Sequence, residues 1–232
     1  MLGVFDLTSR WSCRPLRTTT VVLALAGSLA ACASGQITAS LPDTVAPKAA
    51  LSQQAIERYS AITTEKFAVP AVDPADLKPK NVRQIVDFST REQPGTVVVD
   101  PHKRFLYLVM EGGRALRYGV GVGKEGLEFT GTATVERKAQ WPGWTPTPDM
   151  IKREPSRYGK WAKGMEGGET NPLGARALYL FKGGKDTLYR IHGTTEPWTI
   201  GEAVSSGCIR MMNQDVIDLH GRVPVGSKVV VL

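Results

Sequence analysis

Sulfur and imidazole are scarce in this chain. Its 232 residues hold three cysteines and three histidines, and no two cysteines have the close spacing of a zinc ligand set. A structural metal is therefore not expected. Aromatic residues make up only 7% of the chain, and no basic stripe runs beside a stacking platform, so nucleic acid is a poor partner. The apolar run Thr20–Ala31 is too short to cross a bilayer core of about 30 Å, which takes about 20 residues. No internal repeat is present.

What is present at the N-terminus reads as an export leader. Arg14 and Arg17 precede the apolar run, which ends in Leu29-Ala30-Ala31-Cys32, a string that resembles a bacterial lipobox. Residues 1–31 are expected to be removed and Cys32 to carry lipid. Cys13 leaves with the leader, and Cys208 then stands alone in an oxidising compartment, where a second cysteine would invite a disulfide. A lone thiol is either a buried hydrophobe or a reactive group. The polar Ser205-Ser206 and Gly207 before Cys208 favour the second. The formal net charge of +7 falls to +5 once Arg10, Arg14, Arg17 and Asp6 are gone. A modestly basic exported protein suits an acidic surface such as a cell-wall polymer or anionic headgroups.

Residues 32–50, rich in Ala, Ser, Thr and Pro, read as a flexible tether. In residues 51–93, helical spacing of Leu51, Ala55, Ile56, Tyr59 and Ile62 predicts a helix within Leu51–Phe67. Pro70, Pro74 and Pro79 then mark an extended connector. A domain with its own core is expected over 94–232. Thr96–Val99, Phe105–Met110, Ala115–Val122, Gly131–Arg137, Ala177–Phe181, Thr187–Ile191 and Lys228–Leu232 read as short strands. Glu111-Gly112-Gly113 and Lys182-Gly183-Gly184-Lys185 read as hairpin turns. The fold is accordingly mainly β, a β-sandwich or partly closed barrel with one or two short helices, Asn213–His220 being the best helical stretch. Trp141–Trp161 interrupts the pattern with four prolines among three tryptophans and a tyrosine. Such an insert either serves the site or covers the sheet.

The chemistry gathers in Ile191–Met212. A thiol near its ordinary pKa is mostly protonated at neutral pH and needs a base or a cation. His192, at the end of the strand Thr187–Ile191, supplies the base, and the carbonyl of Gly193 can orient its ring. Gly207 removes bulk beside Cys208, whose amide and neighbouring amides are candidates for an oxyanion hole. Arg210 either stabilises the thiolate and clamps a substrate carboxylate or is structural. His102 lies in a charged turn and His220 at a helix end, so neither competes with His192.

His192-Gly193-Thr194, Ser205-Ser206-Gly207-Cys208-Ile209-Arg210-Met211 and Asn213 resemble the signature of the L,D-transpeptidase catalytic (YkuD-like) family. Gly95–Asp100, Phe105–Leu108, Tyr118–Gly123 and Asn171–Gly174 resemble further parts of that domain. Ser206 departs from the pattern, since many members carry histidine there. The resemblance implies that Cys208 attacks the third residue of a peptidoglycan tetrapeptide stem. D-alanine leaves, a thioester forms, and His192 moves the proton. An amine of a neighbouring stem, a protein amine, a D-amino acid or water resolves the thioester. Cys208, His192 and the Gly193 carbonyl form the expected catalytic set, and Gly207, Ser206, Arg210 and Trp144 the substrate-binding and oxyanion set. No cofactor or metal is implied. Peptidoglycan stems are the expected partners, with an outer-membrane protein as a possible acceptor and the membrane engaged through the Cys32 lipid. Carbapenem sensitivity follows from the same resemblance, whereas the lipobox-like string implies a periplasmic, membrane-anchored location, with Ala33 rather than aspartate after Cys32 favouring the outer membrane. The competing readings are an L,D-carboxypeptidase, a papain-like thiol hydrolase and a non-catalytic peptidoglycan-binding lipoprotein. In papain-like chains, however, the cysteine precedes the histidine.

Overall fold

The computed structural model describes residues 51–124, 129–205 and 207–232. The leader, Cys32, the tether and Ser206 lie outside the described residues. Among the described residues no helix is long and apolar enough to cross a membrane.

The strands in chain order are β1 (Gln84–Asp87), β2 (Val97–Asp100), β3 (Phe105–Met110), β4 (Arg114–Gly119), β5 (Val122–Gly123), β6 (Gly131–Gln140), β7 (Arg176–Lys182), β8 (Lys185–His192), β9 (Ala203–Ser205), β10 (Ile209–Arg210) and β11 (Lys228–Val231). Nine of them form one sheet in the order β1-β4-β3-β2-β11-β6-β7-β8-β10, and β5 and β9 form a second, two-stranded sheet. The pairings are antiparallel except β11 with β2 and β10 with β8 in the large sheet, and β5 with β9. Both expected hairpins are present, joining β3 to β4 and β7 to β8.

The large sheet curls. β10 is its last strand, yet Arg210 exchanges two backbone hydrogen bonds, at 2.8 and 2.9 Å, with Gly121, just beyond β4 near the opposite side. This closure makes the fold a partly closed barrel rather than a two-sheet sandwich. It also explains why the expected strand Ala115–Val122 breaks: β4 ends at Gly119 so that Gly121 can pair with β10 and Val122 with β9. The concave face holds one apolar cluster that includes Val97, Leu106, Tyr118, Leu178, Ile191 and Ile209, with Val216 and Leu219 packed against it.

Four short α-helices occur among the described residues: α1 (Gln53–Arg58), α2 (Pro148–Arg153), α3 (Pro155–Tyr158) and α4 (Asn213–Arg222). The last extends the expected stretch Asn213–His220 by two residues. The helix expected within Leu51–Phe67 is confined to α1, capped by Ser52 Oγ, which accepts from the Ala55 amide at 3.2 Å. Beyond it the chain turns, and Ile62 pairs with Val69. Helices α2 and α3 lie within the insert 141–161. Thr147 caps α2, and Pro148 and Pro155 occupy first-turn positions, where the missing N–H is harmless.

Residues 51–93 pack into the same unit as the barrel. Ala55, Tyr59, Val72, Leu77 and Val82 share a cluster with Ile200 and Met212, and β1 adds a strand to β4. Glu65 pairs with the buried Arg176 at 2.6 Å and accepts from Trp141 Nε1 at 3.1 Å.

Candidate active site

Cys208 and His192 reach one cleft because β10 runs parallel to β8. The register sets Ile209 beside Ile191 and Arg210 beside His192. Both isoleucines enter the core, so the residues on either side turn the other way. Cys208 thus sits diagonally from His192 across neighbouring strands, at roughly 8 Å between backbones for a standard strand spacing. Both side chains line a cleft of about 430 Å³ together with Trp144, Leu188, Ser205 and Arg210.

The ring of His192 is buried at 4% exposure, and its Nδ1 lies 2.6 Å from the Gly193 carbonyl. That carbonyl only accepts, so Nδ1 carries the proton and Nε2 keeps its lone pair. Burial, reinforced by the positive charge of Arg210, pushes the pKa of His192 down to about 3. Gly193 is glycine because a Cβ there would fall on Asn213 Oδ1. That oxygen accepts from the Ala175 amide at 3.0 Å, while Asn213 Nδ2 donates to the Thr194 carbonyl at 3.0 Å. The start of α4 is thereby tied to the loop that follows His192.

The thiol of Cys208 lies 3.8 Å from the Leu188 carbonyl. Burial pushes its pKa up, against the opposing pull of the Arg190 amide and of the guanidinium groups of Arg190 and Arg210. Leu188 has a left-handed φ of +64°, a strained state for leucine, held where Asp186 Oδ1 accepts from its amide at 2.8 Å. Asp186 in turn grips Arg190 through two hydrogen bonds at 2.7 and 2.8 Å. Burial of Asp186 acts upward on its pKa, but the Arg190 fork and the Leu188 amide hold the carboxyl below its ordinary value.

The loop before the thiol hangs on Ser205, which is 2% exposed. Its hydroxyl donates to the Cys208 carbonyl at 2.6 Å and accepts from the Gly207 amide at 3.2 Å. Gly207 therefore serves by conformation, with φ at +123°, and its engaged amide is not free to meet an oxyanion. The Cys208 amide remains the candidate donor. Arg210 lines the cleft but is held by Glu196 at 2.9 Å. The insert divides: Trp141 is buried against Val69 and Ala175, whereas Trp144 and both insert helices face the cleft. His102 and His220 do not line it.

Ser205 was read from sequence only as a polar neighbour of Cys208 and not as the hydroxyl that holds its loop, and Leu188, Asp186 and Arg190 were not singled out. Strand alternation offered a signal for Arg190, two residues before His192 and hence on its face. Nothing local signals the positive φ of Leu188. Among the described residues no group of three His, Cys, Asp or Glu side chains is arranged to hold a metal ion.

A profile of the L,D-transpeptidase catalytic domain (YkuD) matches residues 94–231. The chain is 35% identical over 140 residues to a probable L,D-transpeptidase, ErfK/SrfK, of Escherichia coli K12, covering 60% of this chain and 44% of that protein. It is 31% identical over 180 residues to a second from the same organism, YbiS, covering 75% and 57%. The chain thus spans about half the length of these relatives. A crystallised Brucella melitensis protein, described as a probable carnitine operon oxidoreductase, is 56% identical, with 67% of this chain and 96% of that one covered and a TM-score of 0.47. From β2 to β11, the span that carries the His192–Cys208 cleft, this chain belongs to the L,D-transpeptidase catalytic domain family.

Proposed function

We propose that the protein is a peptidoglycan L,D-transpeptidase that works through a Cys208 thioester. The observation that carries this reading is the shared face of β8 and β10, which sets a neutral, oriented imidazole diagonally from a thiol in one cleft. Cys208 Sγ attacks the carbonyl carbon of the third stem residue while His192 Nε2 takes the thiol proton. The Cys208 amide meets the oxyanion. Collapse breaks the bond to D-alanine, whose nitrogen leaves with the proton from His192. An acceptor amine then attacks the thioester, passes a proton to His192, and the sulfur departs and is reprotonated. The product is a 3→3 cross-link, or a protein amide when the acceptor is a protein amine. With water as acceptor the same scheme is an L,D-carboxypeptidase.

Residues 1–31 as a lipoprotein leader, Cys32 as the lipid site, 32–50 as a tether, and a periplasmic location belong to the same reading. They rest on the sequence features at the N-terminus, as carbapenem acylation of Cys208 rests on the proposed nucleophile. Incubation with purified disaccharide-tetrapeptide, followed by mass spectrometry, tests the function. D-alanine release and a cross-linked dimer are expected, both lost in Cys208→Ala. Unchanged products from that variant would refute the scheme.

A further inference from the structure

The wall that the insert contributes to the cleft has no task in the acyl-transfer scheme. Between Trp141 and Trp161 the insert carries four basic residues, Lys152, Arg153, Arg157 and Lys160, against two acids, Asp149 and Glu154. Thr147 and the two helix-starting prolines fix α2 and α3, and these helices bring Arg153 and Arg157 onto the cleft that holds Cys208 and His192. The guanidinium groups beside the thiol are already occupied, Arg190 by Asp186 and Arg210 by Glu196. Arg157 has a loose, solvent-exposed contact with Glu154 at 3.4 Å and lies over the Tyr158 ring, 5.2 Å from its centroid, which leaves the edge of its guanidinium open. Arg153 makes no ion pair or hydrogen bond among the described residues, and Asp149, one turn earlier on the same cleft, does not pair with it.

A guanidinium left open in a cleft matches the planar fork of a carboxylate. A stem peptide that ends in D-alanine brings one carboxylate on the leaving residue, and a diaminopimelate at the third position brings another. We propose that Arg153 and Arg157 form a carboxylate-recognition site that selects acyl donors carrying a free carboxylate on, or next to, the leaving residue. This rests on the acyl-transfer reading and gives the basic insert a role in donor specificity. The pair acts on binding, and the thiol chemistry is left to the opposite strands.

Calorimetry on full-length Cys208→Ala protein, which binds without turnover, separates the two ideas. The probes are the free tetrapeptide, its C-terminal amide and its diaminopimelate amide. Adding Arg153→Ala with Arg157→Ala is expected to weaken the free tetrapeptide about five- to tenfold, less at high salt. Arg153→Lys should recover part of the loss. The amide that no longer responds to the arginine substitutions identifies which carboxylate is read. Equal affinity with and without the arginines, while the tetrapeptide still binds, would overturn this inference and leave the acyl-transfer reading standing. Failure of every probe to bind the cleft of the Cys208→Ala protein would instead remove the acyl-donor reading, and the inference with it.

Discussion

His192 and Cys208 are both held in their uncharged forms, and burial is the first cause in each case. A neutral imidazole with Nδ1 tied to the Gly193 carbonyl is a base in waiting. In the proposed scheme it takes the thiol proton when substrate arrives, with no standing thiolate–imidazolium pair. The sign of the pH effect follows: with the thiol raised and the histidine lowered to about 3, thiolate does not accumulate on the acid side of neutrality. Alkylation of Cys208 by iodoacetamide is therefore expected to accelerate continuously from about pH 6 upward past the ordinary thiol pKa of about 8.5. A fast plateau beginning near pH 5, the behaviour of a preformed ion pair, would contradict it. At this scale the meeting of Cys208 and His192 in one cleft was legible, because a cysteine and a glycine-flanked histidine sixteen residues apart read as a thiol and its base. The supports were not. The hydroxyl of Ser205 and the strained Leu188 matter through backbone geometry that no residue type announces.

The elements place that pair. β10 is two residues long and stays in register because Ile209 enters the core and because Gly121 closes the barrel onto Arg210. α4 holds the far side, with Asn213 joining Ala175 to Thr194. Asn213→Ala leaves the Ala175 amide unpaired inside the fold and frees the Gly193 loop, for a loss of about 1–3 kcal/mol. Its expected signature is a lower denaturant midpoint together with a fall in turnover exceeding the change in KM. A variant with parent turnover and parent midpoint would show that the tie is idle. Hairpins and long strands were legible from glycine turns and β-rich runs. The insert helices were not, since Pro148 and Pro155 read as breakers until their first-turn positions are known. β1, β9 and β10 were missed as well, being short and defined by their partners rather than by any pattern of their own.

Across the whole molecule, the segment before the family match is bound in rather than appended. Tyr59 donates to the buried Asp215 at 3.1 Å and accepts from the Arg83 amide at 2.8 Å, while Arg83 also reaches Asp218 at 2.6 Å. The proline-rich stretch looked like a connector because its apolar residues Val72 and Leu77 find partners at Ile200 and at Met212, just before α4, far along the chain. Burial raises the pKa of Asp215 from an ordinary 3.8 to about 7 in the fold, with Arg83 and Tyr59 opposing. The folded state then holds a proton that the unfolded chain gives up. This share of stability is present below about pH 4 and is lost as pH rises through about 7. Thermal unfolding of Asp215→Asn should accordingly gain on the parent as pH rises across that interval. Parallel curves would place the titration elsewhere.

The central claim is a thioester on Cys208, and intact-protein mass spectrometry during turnover of a disaccharide-tetrapeptide tests it most directly. The account predicts a transient adduct with the mass of the donor less D-alanine, mapped by digestion to the peptide containing Cys208 and absent from Cys208→Ala. An adduct on another residue, or one that survives in Cys208→Ala, would contradict it.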